Sequence, residues 1–192
     1  MIGNDIIDLN IAREKNPLRP RFLNKVFTPH EQEYIIKDSN PAKKAWLLWT
    51  MKESAYKAHQ RKFGLARNFN PHSLQCIIFS QTLASASGEV RINGNNYRIT
   101  GDINPNYIHT CAIALPEKQK MEWVIIPSSE DLKKEFLLRI SRSYGWDLKS
   151  VGIGKNNNSI PEITLNKRVA PIAFSLSHHG EFAAFSFELM NY

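Results

Sequence analysis

Only two cysteines, Cys76 and Cys111, occur in the chain, and no apolar run approaches the ~20 residues that cross a bilayer. The opening Met1-Ile2-Gly3-Asn4-Asp5 has no basic stretch and meets an acid at once, so it does not read as a secretory signal. Free thiols and a cytoplasmic protein are therefore expected. The cysteines lie far apart and beside no paired histidines, which excludes an ordinary structural zinc site. A phosphate-binding P-loop, a GxGxxG dinucleotide fingerprint and a Gly-x-Ser-x-Gly elbow are all missing. An enzyme built on this chain would have no evident nucleophile of its own.

What is present is an ordinary globular composition with an excess of positive charge. The 192 residues are 42% hydrophobic and 22% charged, enough for one domain or two small fused lobes, and too apolar for disorder. Lys and Arg number 25 against 18 acids, a net +7 that favours an anionic partner: nucleic acid, an acidic protein or a phosphorylated small molecule. The cations are scattered, as at Arg19/Arg21/Lys25, Lys52/Lys57/Arg61/Lys62 and Lys133/Lys134, and no nucleic-acid motif is present. Neither nucleic acid nor membrane is expected as a partner.

Local patterns predict an α+β chain. Residues 1–9 read as a strand interrupted by acids. Thr28-Pro29-His30-Glu31 is a capping box that starts a helix running to about Lys37. Asn40-Pro41 starts another, ending at Phe63 before Gly64. Strands follow over 74–80, 89–93, 97–100 and 109–115, with an Asn93-Gly94 hairpin signal between the second and third. After a break at 116–120, residues 123–127 read as a strand, and Ser128 with Asp131 caps a helix to about Tyr144. A polar loop is expected over 152–159, then strands over 160–165, 173–177 and 182–188. Each part runs helix first and strands after, so two lobes, 1–118 and 119–192, are expected with a ligand cleft between them.

The helix from Pro41 carries the most chemical information. At 100° per residue Trp46, Trp49, Thr50, Glu53 and Lys57 fall in one stripe, while Leu47, Leu48, Met51 and Ala55 cover other faces. A helix apolar nearly all round should be buried. Glu53 and Lys57 are then either a plain surface pair worth ~0.3–0.5 kcal/mol or inward groups that require compensation. Asp5 is a candidate partner. It interrupts the first strand, and alternation turns Asp8 to the opposite face. Two carboxylates from separate elements, together with a phosphate ligand, would suit Mg²⁺, which commonly takes one or two protein carboxylates and keeps several waters. Near the other end, Ser177-His178-His179-Gly180 places two histidines at a strand end, weak on its own as a site signal.

Taken together, these segments resemble the 4′-phosphopantetheinyl transferases. That superfamily's hallmarks are a Gly-x-Asp near a strand end and, some forty to fifty residues on, a helix reading Trp/Phe-Ser/Thr-x-Lys-Glu-Ala/Ser-x-x-Lys. They appear here as Gly3-Asn4-Asp5 and Trp49-Thr50-Met51-Lys52-Glu53-Ser54-Ala55-Tyr56-Lys57. Between them, Arg21-Phe22 and Phe27-Thr28-Pro29-His30-Glu31 look like the family's Arg-Phe and Phe-Thr-x-x-Glu segment. The Tyr107–Ala114 segment resembles the C-terminal end of the two-lobed, surfactin-type enzymes, whereas residues 142–147 and the Ser-Leu-Ser-His-His-Gly strand resemble their N-terminal lobe. This order implies the two-lobed fold with its halves swapped along the chain, a pseudo-dimer acting as a monomer. A trimer like that of the short holo-acyl-carrier-protein synthases is the alternative.

The resemblance implies transfer of phosphopantetheine from coenzyme A to a serine of an acidic acyl or peptidyl carrier protein, or alternatively a catalytically inactive binding module of the same fold. Asp5 and Glu53 would hold Mg²⁺, Lys57 would reach the phosphates, and Glu53 or a water would act as base. Lys52 is a weaker phosphate candidate. His178 would meet the 3′-phosphate of coenzyme A, with Lys133 and Lys134 adding charge. The two-lobed enzymes carry a second acid two positions after the aspartate; here that position is Ile7, and Asp8 is one further on. One protein ligand fewer is therefore expected at the metal.

Overall fold

Strand β1 (Ile2–Asp8) is buried on both faces because it lies between a helix and a second sheet. The computed structural model describes residues 1–116 and 120–189, so the boundary expected at 118/119 lies outside the described residues. β1 pairs antiparallel with β5 (Tyr107–Ala114) at the edge of a five-stranded sheet. Its other strands are β2 (Gln75–Gln81), β3 (Ser85–Ile92) and β4 (Asn95–Ile103), in the order β1-β5-β4-β3-β2. Asn93 and Gly94 both have positive φ, 46° and 74°, the turn conformation that an Asn-Gly pair in a tight hairpin favours.

Before that sheet come four helices: α1 (Leu9–Ala12), α2 (Pro20–Val26), α3 (Pro29–Ile36) and α4 (Pro41–Phe63). The capping box at α3 is complete, with Thr28 and Glu31 bonding each other's backbone N–H. α4 starts on the Asn40 side chain and stops at Gly64, whose φ of 62° is the left-handed conformation glycine accepts without strain. It packs along the five-stranded sheet, so Leu47, Leu48, Met51 and Ala55 join Val90, Tyr97, Ile99 and Ala112 in the larger core.

The remaining elements form a smaller core around α5 (Leu132–Tyr144). On one side is the sheet β10-β11-β6, made of β6 (Met121–Pro127), β10 (Phe174–His179) and β11 (Phe182–Glu188). The other sheet holds β7 (Val151–Lys155), β8 (Pro161–Leu165) and β9 (Arg168–Ala170). Phe136 of α5 stacks on Phe174 and meets Phe185 edge-on. Among the described residues no helix is long and apolar enough to cross a membrane.

Three local expectations are corrected. Residues 152–159 are not all loop, because Gly152 and Gly154, poor strand formers alone, are held in β7 by its pairing with β8. Asp131, not Ser128, caps α5, accepting from the N–H groups of Lys133 and Lys134, while Ser128 N–H bonds Glu181. The first strand ends at Asp8, whose carboxylate caps α1 and turns the chain. Helices α1 and α2 and strand β9, for which the sequence raises no expectation, are too short to show a period.

Gly3 fixes the approach of β1 to α4. A Cβ there would lie 2.0 Å from the Ser54 carbonyl oxygen and 2.6 Å from the Ala58 nitrogen, so strand and helix backbones touch where only a hydrogen fits. Gly3→Ala is expected to lower unfolding stability by about 3 kcal/mol through forced separation of β1 and α4, read as a drop in the urea midpoint with unchanged slope.

Candidate functional site

The contact at Gly3 brings Asp5 alongside the fourth and fifth turns of α4. A cleft of about 410 Å³ opens there, lined by Asp5, Ile7, Lys15, Phe22, Trp46, Trp49, Glu53, Lys57, Arg67, His178 and His179, with Ile6 and Ala12. Its apolar wall is an aromatic cluster in which Phe22 of α2 sits 5.7 Å from Trp46 and 5.8 Å from Trp49 between ring centroids. Four of the five stripe residues therefore face the cleft. Thr50 does not: it is buried, and its hydroxyl donates to the Leu47 carbonyl.

Lys57 bonds across to the strand rather than along its own helix. Its Nζ donates to Asp5 Oδ1 and to the Asn4 carbonyl, each at 2.9 Å, leaving the third ammonium hydrogen with no partner among the described residues. Glu53 has neither a hydrogen bond nor an ion pair among the described residues. Burial, and secondarily repulsion from Asp5, push its carboxyl up to about 7 against the weaker pull of Lys57 and Arg67. Asp5 is also held above the usual carboxylate range, because burial outweighs the Lys57 ammonium beside it. Two desolvated carboxylates repelling each other, one of them unpartnered, form a donor set that fits a hard divalent cation keeping several waters. Among the described residues no group of three or more His, Cys, Asp or Glu side chains is placed to hold a metal, so any ion would take few protein ligands.

Asp8 is outside this set. Its carboxylate accepts from the N–H groups of Asn10, Ile11 and Glu181, which outweigh desolvation and hold it below the usual range. Ile7 occupies the cleft position where a second acid would stand.

Lys52 is a correction to the sequence reading. It is fully buried, and its three N–H groups go to Glu31 Oε2 at 2.7 Å, Val26 O at 2.8 Å and Pro71 O at 2.9 Å. One residue of helix rotates it ~100° from Glu53, away from the cleft, so it cannot serve as a phosphate ligand. Its partner Glu31 also accepts from the backbone N–H groups of Thr28 and Cys76. A single buried ion pair thus ties α2, α3, α4 and β2 together. Lys133 and Lys134 are exposed at the start of α5 and do not line the cleft, because α5 packs on β11 and β7 in the smaller core and not beside β1 and α4. His178 does line it, from the exposed end of β10.

Lys15, Arg67 and His179 also reach the cleft. Lys15 and Arg67 lie in loops with no periodicity to mark them, while His179 was visible only as half of a histidine pair. Burial, and to a lesser degree Lys15, hold the His179 ring below its ordinary range, against Asp8 and Asp5.

Residues 1–112 match the family model of the 4′-phosphopantetheinyl transferase superfamily, and the chain belongs to that family, a family of transferases. No curated protein matches the chain by sequence.

Two predictions follow from this geometry. Lys52→Ala is expected to cost about 3–5 kcal/mol of unfolding stability, since it strands a buried carboxylate, and denaturant titration would show it. For Glu53 the folded-state proton is held more tightly than in the unfolded chain, from the ordinary 4.5 up to about 7. Stability from this group is then fully present below 4.5 and is lost as pH rises through about 7. Glu53→Gln should flatten that slope in melts recorded from pH 5 to 8.

Proposed function

We propose that the chain is a Mg²⁺-dependent 4′-phosphopantetheinyl transferase moving the arm of coenzyme A onto a serine of an acyl or peptidyl carrier protein. The observation that carries this reading is the convergence of Asp5, Glu53 and Lys57, from two separate elements, on one cleft with Glu53 unpaired among the described residues. Asp5 and Glu53 would hold the metal. When bound, the ion would neutralise diphosphate oxygens and the charge growing on the leaving group.

The chain's own residues would do the rest. Lys57, steadied by Asn4 and Asp5, would offer its remaining N–H to a phosphate oxygen. Lys15 and Arg67 would add positive charge at the rim. The aromatic wall of Phe22, Trp46 and Trp49 would exclude water on one side. The carrier's serine oxygen would attack the pantetheine-side phosphorus, its proton passing to Glu53, while the bond to the adenosine-side phosphate oxygen breaks and adenosine 3′,5′-bisphosphate departs. The nucleophile thus comes with the partner, consistent with a chain that has no nucleophile motif.

Three cations, Arg19, Arg21 and Lys25, surround a groove of about 300 Å³ beside Phe22, which also lines the cleft. That juxtaposition suits an acidic carrier protein delivering a serine past Phe22. His178 would take the 3′-phosphate of coenzyme A, as the resemblance implies. Because β10 brings both histidines to the cleft within the same chain, residues 1–118 and 119–192 would act as two lobes of one monomer.

Incubation with coenzyme A, Mg²⁺ and a panel of apo carrier proteins, followed by mass measurement, tests the proposal. One carrier should gain a phosphopantetheine arm, and Glu53→Gln should remove the activity. Ligand binding with no mass gain for any carrier would favour an inactive binding module, and an unaffected Glu53→Gln rate would refute the metal assignment.

A further inference from the structure

The fold chooses the tautomer of His179. The backbone N–H of Asp8 donates to its Nδ1 at 3.0 Å. A ring nitrogen that accepts a hydrogen bond carries no proton, so the neutral ring has its hydrogen on Nε2. Nε2 itself has no hydrogen-bond partner among the described residues, and the ring lines the cleft with Asp5, Glu53 and Lys57. His178 beside it has no such bond among the described residues.

The bond to Nδ1 belongs to a built clasp. Asp8 Oδ2 accepts from the Glu181 N–H at 3.0 Å, so the end of β1 and the β10–β11 turn exchange two bonds in opposite directions. Between them Gly180 takes a φ of 58°, and a Cβ there would lie 2.4 Å from Asp8 Oδ2. With its other oxygen engaged by the N–H groups of Asn10 and Ile11, Asp8 is occupied in holding this corner.

We infer that His179 is a further ligand-binding residue, donating from Nε2 to a diphosphate oxygen of coenzyme A, and that Asp8 is the positioning residue that orients the ring. This rests on the proposed coenzyme A site. Facing two carboxylates, a diphosphate needs uncharged or positive donors, and His179 supplies one that cannot pair with Asp5 through Nδ1.

Two substitutions separate the two nitrogens. In His179→Asn the side-chain oxygen stands where Nδ1 was, so the clasp is kept and the inward donor is lost. His179→Gln reaches the Nε2 position with an amide N–H but gives up the clasp. Calorimetric titration of the full chain with coenzyme A and with 3′-dephospho-coenzyme A should show Asn binding both about tenfold more weakly, the size of one hydrogen bond to a charged group. Gln should recover only part of that affinity, because its amide N–H reaches the Nε2 position without the bond from Asp8 that orients it. The nitrogen chemical shifts of His179 in the unaltered protein should show the Nε2–H tautomer, whichever variants fold.

An Asn variant that binds like wild type, a deficit confined to the ligand with the 3′-phosphate, or a proton found on Nδ1 would each overturn the inference and leave the transferase reading intact. If the unaltered chain binds neither ligand, the transferase reading falls and this inference with it.

Discussion

Everything at the cleft depends on the backbone contact between β1 and α4. With hydrogen in place of a side chain at Gly3, the strand lies against the turn from Ser54 to Ala58, and the small residues of that turn let it do so. Asp5 then falls within reach of Lys57 and close enough to Glu53 to raise its proton affinity. The arrangement is electrostatically unfavourable by itself, since two carboxylates share a desolvated wall with one ammonium between them. Sites that bind cations and anionic ligands commonly hold such unresolved charge, which the ligand then neutralises.

The two lysines of the helix motif show how little sequence distance says about role. Lys52 and Lys57 are five residues apart, and both lie in an apolar helix. Lys52 is sealed between α2, α3 and the turn at Pro71, with every donor satisfied, and anchors Glu31. Lys57 remains partly open and keeps one donor for the cleft. The segment around Thr28 and Glu31, which reads as a family signature, thus contributes a buried counter-ion and not a second set of cleft residues.

The two cores meet along a polar seam. Asn4, between Gly3 and Asp5, donates from its backbone to Ser175 Oγ and from its side chain to Ser177 Oγ, both at 2.9 Å, and to His109 Nε2 at 3.3 Å. Burial drives His109 down to about 3, so it stays neutral and can accept. Directional bonds here set the register of β10 against β1, where apolar packing alone would let the strands slide. That register sets His178 and His179 opposite Asp5, so histidines distant in sequence share its cleft.

Periodicity and capping residues made much of the first half legible: α3, α4 and its glycine stop, the Asn93-Gly94 hairpin, and the inward stripe of Trp46, Trp49, Glu53 and Lys57 follow from local rules that neighbouring residues satisfy by themselves. The spacing of Gly3-Asn4-Asp5 from Glu53 carried the family. Strand β7, whose glycines need a partner strand, and the short α1 and α2 lacked such local signals. Nor could spacing tell Lys52 from Lys57, or show that Asp8 is consumed by backbone donors while Glu53 has no partner among the described residues. Local sequence sets which side chains a helix or strand presents together, because its period is built into the backbone. Which charges find partners, and which are left facing a cleft, depends on surfaces that meet only when β1 packs between α4 and β10, and only the tertiary structure decided that.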